Sequence, residues 1–507
     1  AALVEFILVR RKHFGTDDAF AAAVHESEIL LRQAQPGAAV AALIRVLPDV
    51  KSSEPFHNRW LTREELRTRL RASFVSLLDD GHHDEAISVA ELAKSVFTAA
   101  EAIEMRADAQ FTGGEKLALE AEQLPSNVAE LHARANHSFS SAGRSYEELA
   151  ELRFATREYT EYLWKSATAF HHGDDYRSVI RLLRFYLAQE SRNRRPHALT
   201  MLGQAQLAQG DGDAALRSLT DAISQYPSHP VTYRARIASA RLHLERQDLE
   251  KARQLLNDNL ENGILTPRSI DWQESLFLLG QTYNGEGLEY DRLSREVGID
   301  SFDPAQQKSA LKYLQMADQA FERSARRLSE YVLRVPESKR AVESEYIIAE
   351  SLRFRSKYPR AKLRTETIET VRASLAGDAQ AQLEEAFSRY DKLIAELNRQ
   401  QDLKPLSPID SKVLRNCYFL AADTLFSLER FEEAIVAYSS ATNRYQLEPA
   451  SLDAYLQIAA CYRRLGNSKK ARGSLEQAKV VLAKIPLDLA YEQTSRFTRQ
   501  QWEQHLQ

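Results

Sequence analysis

The stretch MLGQAQLAQGDGDAALRSLTDAISQYP, residues 201–227, sets small residues where two helices would have to touch. Two helix-forming segments flank Gly210-Asp211-Gly212, and Gly203, Ala215 and Ala222 stand where larger apolar residues would bury more surface. A side chain larger than a methyl at those positions would hold two helix axes apart, so the pattern predicts a hairpin whose rods approach closely. One such hairpin cannot bury its apolar face alone, and the pattern constrains the whole chain only if it recurs.

It recurs. The offset from Gly203 to Ala240 brings Ala252 and Leu256 into the corresponding places. Residues 415–448 carry Ala421-Ala422, Ala434, Tyr438 and Ala441, and the same offset leads to Ile458-Ala459, Tyr462, Gly466, Ala471, Leu475 and Ala478. Ser166-Ala167, Phe170, Gly173, Tyr176 and Leu183 make a further unit, and Gly81, Ala86, Ala90 and Ala93 another. A Leu-Gly pair on a first helix, Ala and a bulky apolar residue on the second, and Pro at the hairpin end resemble the tetratricopeptide repeat, most clearly over 196–229 and the two C-terminal units. The resemblance implies an all-α fold, a right-handed α-solenoid of such hairpins.

Composition agrees with a helical chain. Only 18 Gly and 15 Pro occur in 507 residues, and few alternating Val/Ile/Thr runs can be found. Lys and Arg total 67 against 71 for Asp and Glu, so no global field steers the chain towards nucleic acid or anionic lipid. Cys417 and Cys461 read as small core residues and build no disulfide framework.

The array is irregular in the middle. Leu279-Gly280 and Tyr283 begin a unit whose second helix comes late, at Ala310, Leu314 and Ala317. The excess, GEGLEYDRLSREVGIDSFDP (285–304), predicts a protruding loop that ends in a helix start with Asp303 as cap and Pro304 in the first turn. A second excess lies between Ala349 and Ala386, and a helix over 308–334 outruns a normal repeat, so elongated central helices are expected. Thr62 with Glu65 forms a capping-box sequence. The expected organisation is N-terminal helices over 1–60, a repeat array over 61–284, irregular repeats with insertions over 285–410, a C-terminal pair over 411–486, and one amphipathic capping helix over 487–507, apolar at Leu489, Phe497 and Trp502.

No phosphate-binding loop, dinucleotide fingerprint, HExxH or CxxC pair occurs, so no catalytic residue and no cofactor are expected. His82-His83 before Asp84-Glu85 and His171-His172 before Asp174-Asp175 combine imidazole with carboxylate, but neighbouring helical residues point about a hundred degrees apart and exposed turn residues are the better reading, with no metal.

Contact residues are expected on two surfaces. The first helices of successive hairpins should line a groove with Trp164, Thr168, His171, Gln204, Arg234, Arg241, Phe277, Gln281, Phe419, Asp423 and Arg463. The segment RFRSKYPRAKLR (353–364) sets Arg353, Arg355 and Lys357 beside aromatics and has two readings: a basic patch suited to an acidic protein surface ahead of nucleic acid, or a solvated face offset by Glu343, Glu345 and Glu350. Chaperone-tail clamps of related repeat proteins use Asn and Lys at set places; Gln204, Thr168, Asp423 and Ala460 stand where that Asn would, so capture of a C-terminal carboxylate is not expected.

These readings predict a non-catalytic scaffold for a partner protein or peptide, bound in the groove and at the central insertion, with no nucleic acid. The alternative is an accessory module of a cell-wall, glycan-processing enzyme whose catalytic part lies outside this chain. SQYPSHP, YVLRVPESKRAVESEYIIAESL and SKYPRA resemble the aromatic-x-Pro spacers of bacterial envelope repeat proteins of the outer-membrane assembly lipoprotein and cell-division coordinator type, although no lipobox cysteine is present. That resemblance favours a membrane-associated or envelope location over a cytoplasmic one. Two readings stay open for AALVEFILVRRK: the tail of a membrane tether upstream of residue 1, or a first helix that packs normally, which Glu5 favours.

Overall fold

The computed structural model describes residues 2–50, 56–123, 127–189, 194–261, 263–299, 301, 303–486, 489, 491 and 494–506. The described residues are helices and their connections, with no strand among them. The chain forms two compact units, Ala1–Ala235 and Arg236–Gln507. The division falls inside the stretch 61–284 expected as one array, on the helix Val231–Glu245.

The first unit runs α1 (Ala2–Lys12), α2 (Asp17–Arg32), α3 (Pro36–Ile44), α4 (Arg63–Asp79), α5 (His83–Leu92), α6 (Ala99–Gln123), α7 (Val128–Leu152), α8 (Tyr159–His172), α9 (Tyr176–Ala188), α10 (Arg195–Ala208) and α11 (Gly212–Gln225). From α4 to α11 each helix packs on the next as expected of stacked hairpins, whereas α3 packs on α2 and α5. Their ends are written in the sequence: Thr62 and Glu65 close a reciprocal capping box, and the Asp211 carboxylate accepts the backbone N–H of Ala214. Gly210 enters the turn before α11 at φ +80 with open space around its Cα, so its use there is conformational. Gly203 is the opposite case. A Cβ at that position would lie 2.6 Å from Leu219 Cγ, so the small residue is what lets α10 and α11 touch.

The basic end of the first helix is divided between inside and outside. Arg10 turns inward and its guanidinium grips the buried Glu26 carboxylate at 2.6 and 3.1 Å, while Arg11 and Lys12 stay exposed. No helix among the described residues is long and apolar enough to cross a membrane.

The second unit continues from α12 (Val231–Glu245) through α13 (Leu249–Glu261), α14 (Ile270–Val297), α15 (Pro304–Arg334), α16 (Ala341–Arg355), α17 (Lys357–Leu363), α18 (Glu369–Leu403), α19 (Pro408–Ser427), α20 (Phe431–Arg444), α21 (Ala450–Arg464), α22 (Ser468–Lys484) and α23 (Arg499–His505). Its largest core gathers Leu276, Leu279, Leu328, Ile348, Ala386, Tyr390 and Leu414, side chains from α14, α15, α16, α18 and α19. The elongated central helices are present: α14, α15 and α18 have 28, 31 and 35 residues. Position 284, an expected boundary, lies within α14.

Two expectations are corrected here. Residues 285–297 are no loop but the last turns of α14, which ends at Gly298 in the left-handed region. One of the glycines that suggested a loop serves packing instead: a Cβ at Gly287 would meet the Phe321 ring at 2.7 Å, whereas one at Gly285 would make ordinary contact with Leu249. Asp303 and Pro304 do open α15, with Asp303 accepting from the Ala305 N–H, while Gln306 reaches Ser301 at 2.6 Å. Among the described residues of 487–507, the helix is α23 alone. Thr498 and Gln501 form a capping box that starts it, Trp502 is fully buried and packs on Phe497, and Leu489 is exposed. Residues 487, 488, 490, 492, 493 and 507, also part of that expectation, lie outside the described residues.

Candidate functional site

Three residues expected in the groove converge in the second unit. Arg241 on α12 and Phe277 and Gln281 on α14 line one concavity of about 1510 Å³, whose other walls come from Pro336–Glu345 and from α18 and the start of α19. Arg241 and Arg340 share the Glu274 carboxylate, and the Arg340 guanidinium lies 4.5 Å from the Phe277 ring centre. Gln281 donates to Glu343 at 2.9 Å. Burial pushes the Glu343 carboxyl up, outweighing the nearby Arg340. Leu403 and Ile409, 78% and 61% exposed, stand on the same groove beside Leu244 and the buried Leu393. The groove therefore has an apolar floor and a mixed charged rim.

A second cavity, of about 410 Å³, opens on the faces of α16, α19 and α21, first helices of successive hairpins. Phe419 and Asp423, both anticipated, line it with Tyr346, Glu350, Asp453 and Arg496. Tyr438 donates to Asp423 at 2.5 Å. Burial raises the carboxyls of Glu350, Asp423 and Asp453 above their ordinary values. The sequence offers Glu350 only as an acidic neighbour of the basic segment, and Asp453 in no functional role. One signal was there: Tyr346 and Glu350 are one turn apart and share a helix face, as do Phe419 and Asp423.

The basic segment folds otherwise than expected. Arg355 is bound to Asp318 at 3.0 Å and Lys357 to Asp291 at 2.7 Å, while Arg353 runs inward beside Glu350 and Asp423, its Nε covered and without a hydrogen bond. The three cations thus do not form one outward patch: Glu350 lies beside Arg353 on α16, and the other counter-charges, Asp291, Asp318 and Asp423, come from α14, α15 and α19, distant in sequence. Arg463 is exposed on α21 and lines neither cavity.

In the first unit, Trp164 is half-buried with the Arg194 guanidinium 5.5 Å from its ring, and Thr168 lies one turn further along α8 with its hydroxyl covered. His171 meets Tyr176 edge-on, and burial lowers its imidazole pKa. Gln204 is half-buried on α10, and Arg234 is exposed on α12. The histidine pairs are partly engaged in packing: His83 contacts Thr112 at 3.3 Å, and the His172 ring lies against Phe111 and Phe139. No group of three metal-ligating side chains occurs among the described residues.

Against known proteins, no curated sequence matches the chain significantly. Among solved structures it is similar to a tetratricopeptide repeat protein from Parabacteroides merdae, at 16% identity over 68% of this chain and 97% of that one, with a TM-score of 0.33. It is similar at 15% identity to a chain of Naa15/Naa10 bound to HypK-THB, covering 91% of this chain and 63% of that one at a TM-score of 0.29. The human IFIT1 dimer with m7Gppp-AAAA matches at 12% identity over 94% of both chains, with a TM-score of 0.27. Likenesses this faint add nothing to the fold read from the helices themselves. The family model of the tetratricopeptide repeat matches residues 200–263 and 419–483, so the chain carries tetratricopeptide repeats in those two segments.

Proposed function

We propose that the chain is a non-catalytic scaffold that docks an amphipathic helix of a partner protein in the groove between α12, α14, α18 and the start of α19. The observation that carries this reading is the pair Leu403 and Ile409, large apolar side chains left mostly exposed on a groove with Phe277 in its wall. Covering each contributes about 1.5–3 kcal/mol, and the charged rim of Arg241, Glu343 and Arg399 supplies register for the polar face of the partner. A helix is ~10–12 Å across and rises 5.4 Å per turn, so about three turns fill a volume of this size. Trp164, Thr168, His171 and Gln204, on first helices of the other unit, are candidates for further contacts. Leu403→Glu and Ile409→Glu should leave the melting temperature in place and abolish co-purification of the partner; retention of the same partner by both would end this reading.

An envelope setting is the finer part of the proposal. It is supported by Tyr226-Pro227 and Val335-Pro336, which follow directly on the ends of α11 and α15 as spacers between hairpins; Tyr358-Pro359 lies within α17 instead. Fractionation of the source cells with an antibody to the chain tests it, and recovery solely in the soluble cytoplasmic fraction would refute it.

A further inference from the structure

The smaller cavity has a charge problem that a ligand would solve. Two cations stand at its edge, and each already has a carboxylate: Arg415 reaches Glu448 at 3.1 Å and Arg496 reaches Asp453 at 3.5 Å. Glu350 and Asp423 remain on its wall. The Arg353 guanidinium acts on both, with Lys357 also near Glu350 and Arg496 near Asp423, and Lys357 and Arg496 are already bound to Asp291 and Asp453. Asp423 receives one hydrogen bond, from Tyr438, whereas the half-buried Glu350 carboxylate makes no hydrogen bond and no ion pair within 4.0 Å among the described residues. A carboxylate removed from water without a partner is costly, and proteins normally supply one. Tyr346 and Phe419 put aromatic surface beside the two acids.

We propose that this cavity receives a basic side chain, Lys or Arg, of the bound partner. The ammonium or guanidinium would donate to Glu350 and Asp423 while its stem and charge lie against Phe419 and Tyr346, the combination by which acidic and aromatic groups together hold a cation. The cavity lies on first helices of consecutive hairpins, so an anchor there would fix the position of a segment running along that face. This assignment rests on the scaffold reading but makes a separate demand on partner chemistry.

The probes are N-acetyl-lysinamide, N-acetyl-argininamide and, as an acidic comparison, N-acetyl-glutamate amide, titrated calorimetrically into the full chain. One of the cationic probes should bind saturably at one site, and Glu350→Gln and Asp423→Asn should each weaken it about tenfold or more, with Leu403→Glu binding it as the parent does. Both amides are isosteric with the groups they replace, and the Asn oxygen can still accept from Tyr438, so the variants should stay folded. Absence of saturable binding by either cation, equal binding of the acidic probe, or affinity indifferent to both amide variants would overturn the assignment. The groove is scored independently by Leu403→Glu against the partner, so either idea can fail without the other.

Discussion

Gly280 on α14 sits directly beneath Leu328 of α15, so closely that a Cβ at 280 would stand 2.5 Å from Leu328 Cγ. The same relationship joins Gly203 to Leu219 and Gly287 to Phe321, at 2.6 and 2.7 Å. In each case the absence of a side chain on one helix is filled by a large one on the next, which is how neighbouring rods reach contact.

Gly280→Ala should therefore lower stability by about 1–3 kcal/mol through overpacking, although Ala is the better helix former. A Cβ added at Gly377, within α18, would meet nothing within 4 Å, so Gly377→Ala should raise stability by about 0.5–1 kcal/mol. Urea midpoints of both variants check the contrast, and equal shifts would contradict it.

The repeat hairpins were legible because their signal is local: Gly203, Ala215 and Ala222 are a few turns apart, and all are packed as their size implies. The long helices were legible only in part. The glycines at 285 and 287 looked like a loop because one sequence cannot distinguish a glycine that bends the backbone from one that, like Gly287, admits a distant ring, here Phe321. The basic segment misled for a related reason: the carboxylates that hold Arg355 and Lys357, Asp318 and Asp291, are brought near only by the stacking of α14 and α15 against α16 and α17. Arg241, Phe277 and Gln281 could be placed on one face by helical spacing, whereas Leu403 and Ile409, at the junction of two helices, belong to no repeat position.

Glu350 predicts an unusual pH dependence. Burial holds its carboxyl above the ordinary 4.5, so the folded protein binds more protons there than the unfolded chain. Stability from this group is present below the ordinary value and is lost as pH rises through the folded one. Glu350→Gln should thus be more stable than the parent near neutrality, and the advantage should vanish as pH falls below 4.5. Denaturant midpoints across that range decide it; a variant less stable at neutrality would show that the charge is compensated.

Arg10 and Glu26 form a buried pair, 8% and 4% exposed. Glu26→Ala leaves the guanidinium uncompensated and should cost about 3–5 kcal/mol, while replacing both residues by Met should recover most of the loss. Thermal unfolding of the single and double variants measures this, and additive losses would argue against it.

Cys417 and Cys461 are free and buried, and burial pushes their thiols up to about 12 and about 11. Neither should react with iodoacetamide in the native protein, and both should react once it is unfolded, as counted by intact mass. Rapid native labelling of either would place it nearer the surface than described.

The scaffold reading is tested most directly by a photo-crosslinking amino acid placed at position 403, in the groove, and at position 333, where Leu333 is 83% exposed on α15 away from it. Irradiation with the source-cell proteome present should give one dominant protein adduct from position 403 and none of that species from 333. Equal adducts from both positions, or none from 403, would contradict it.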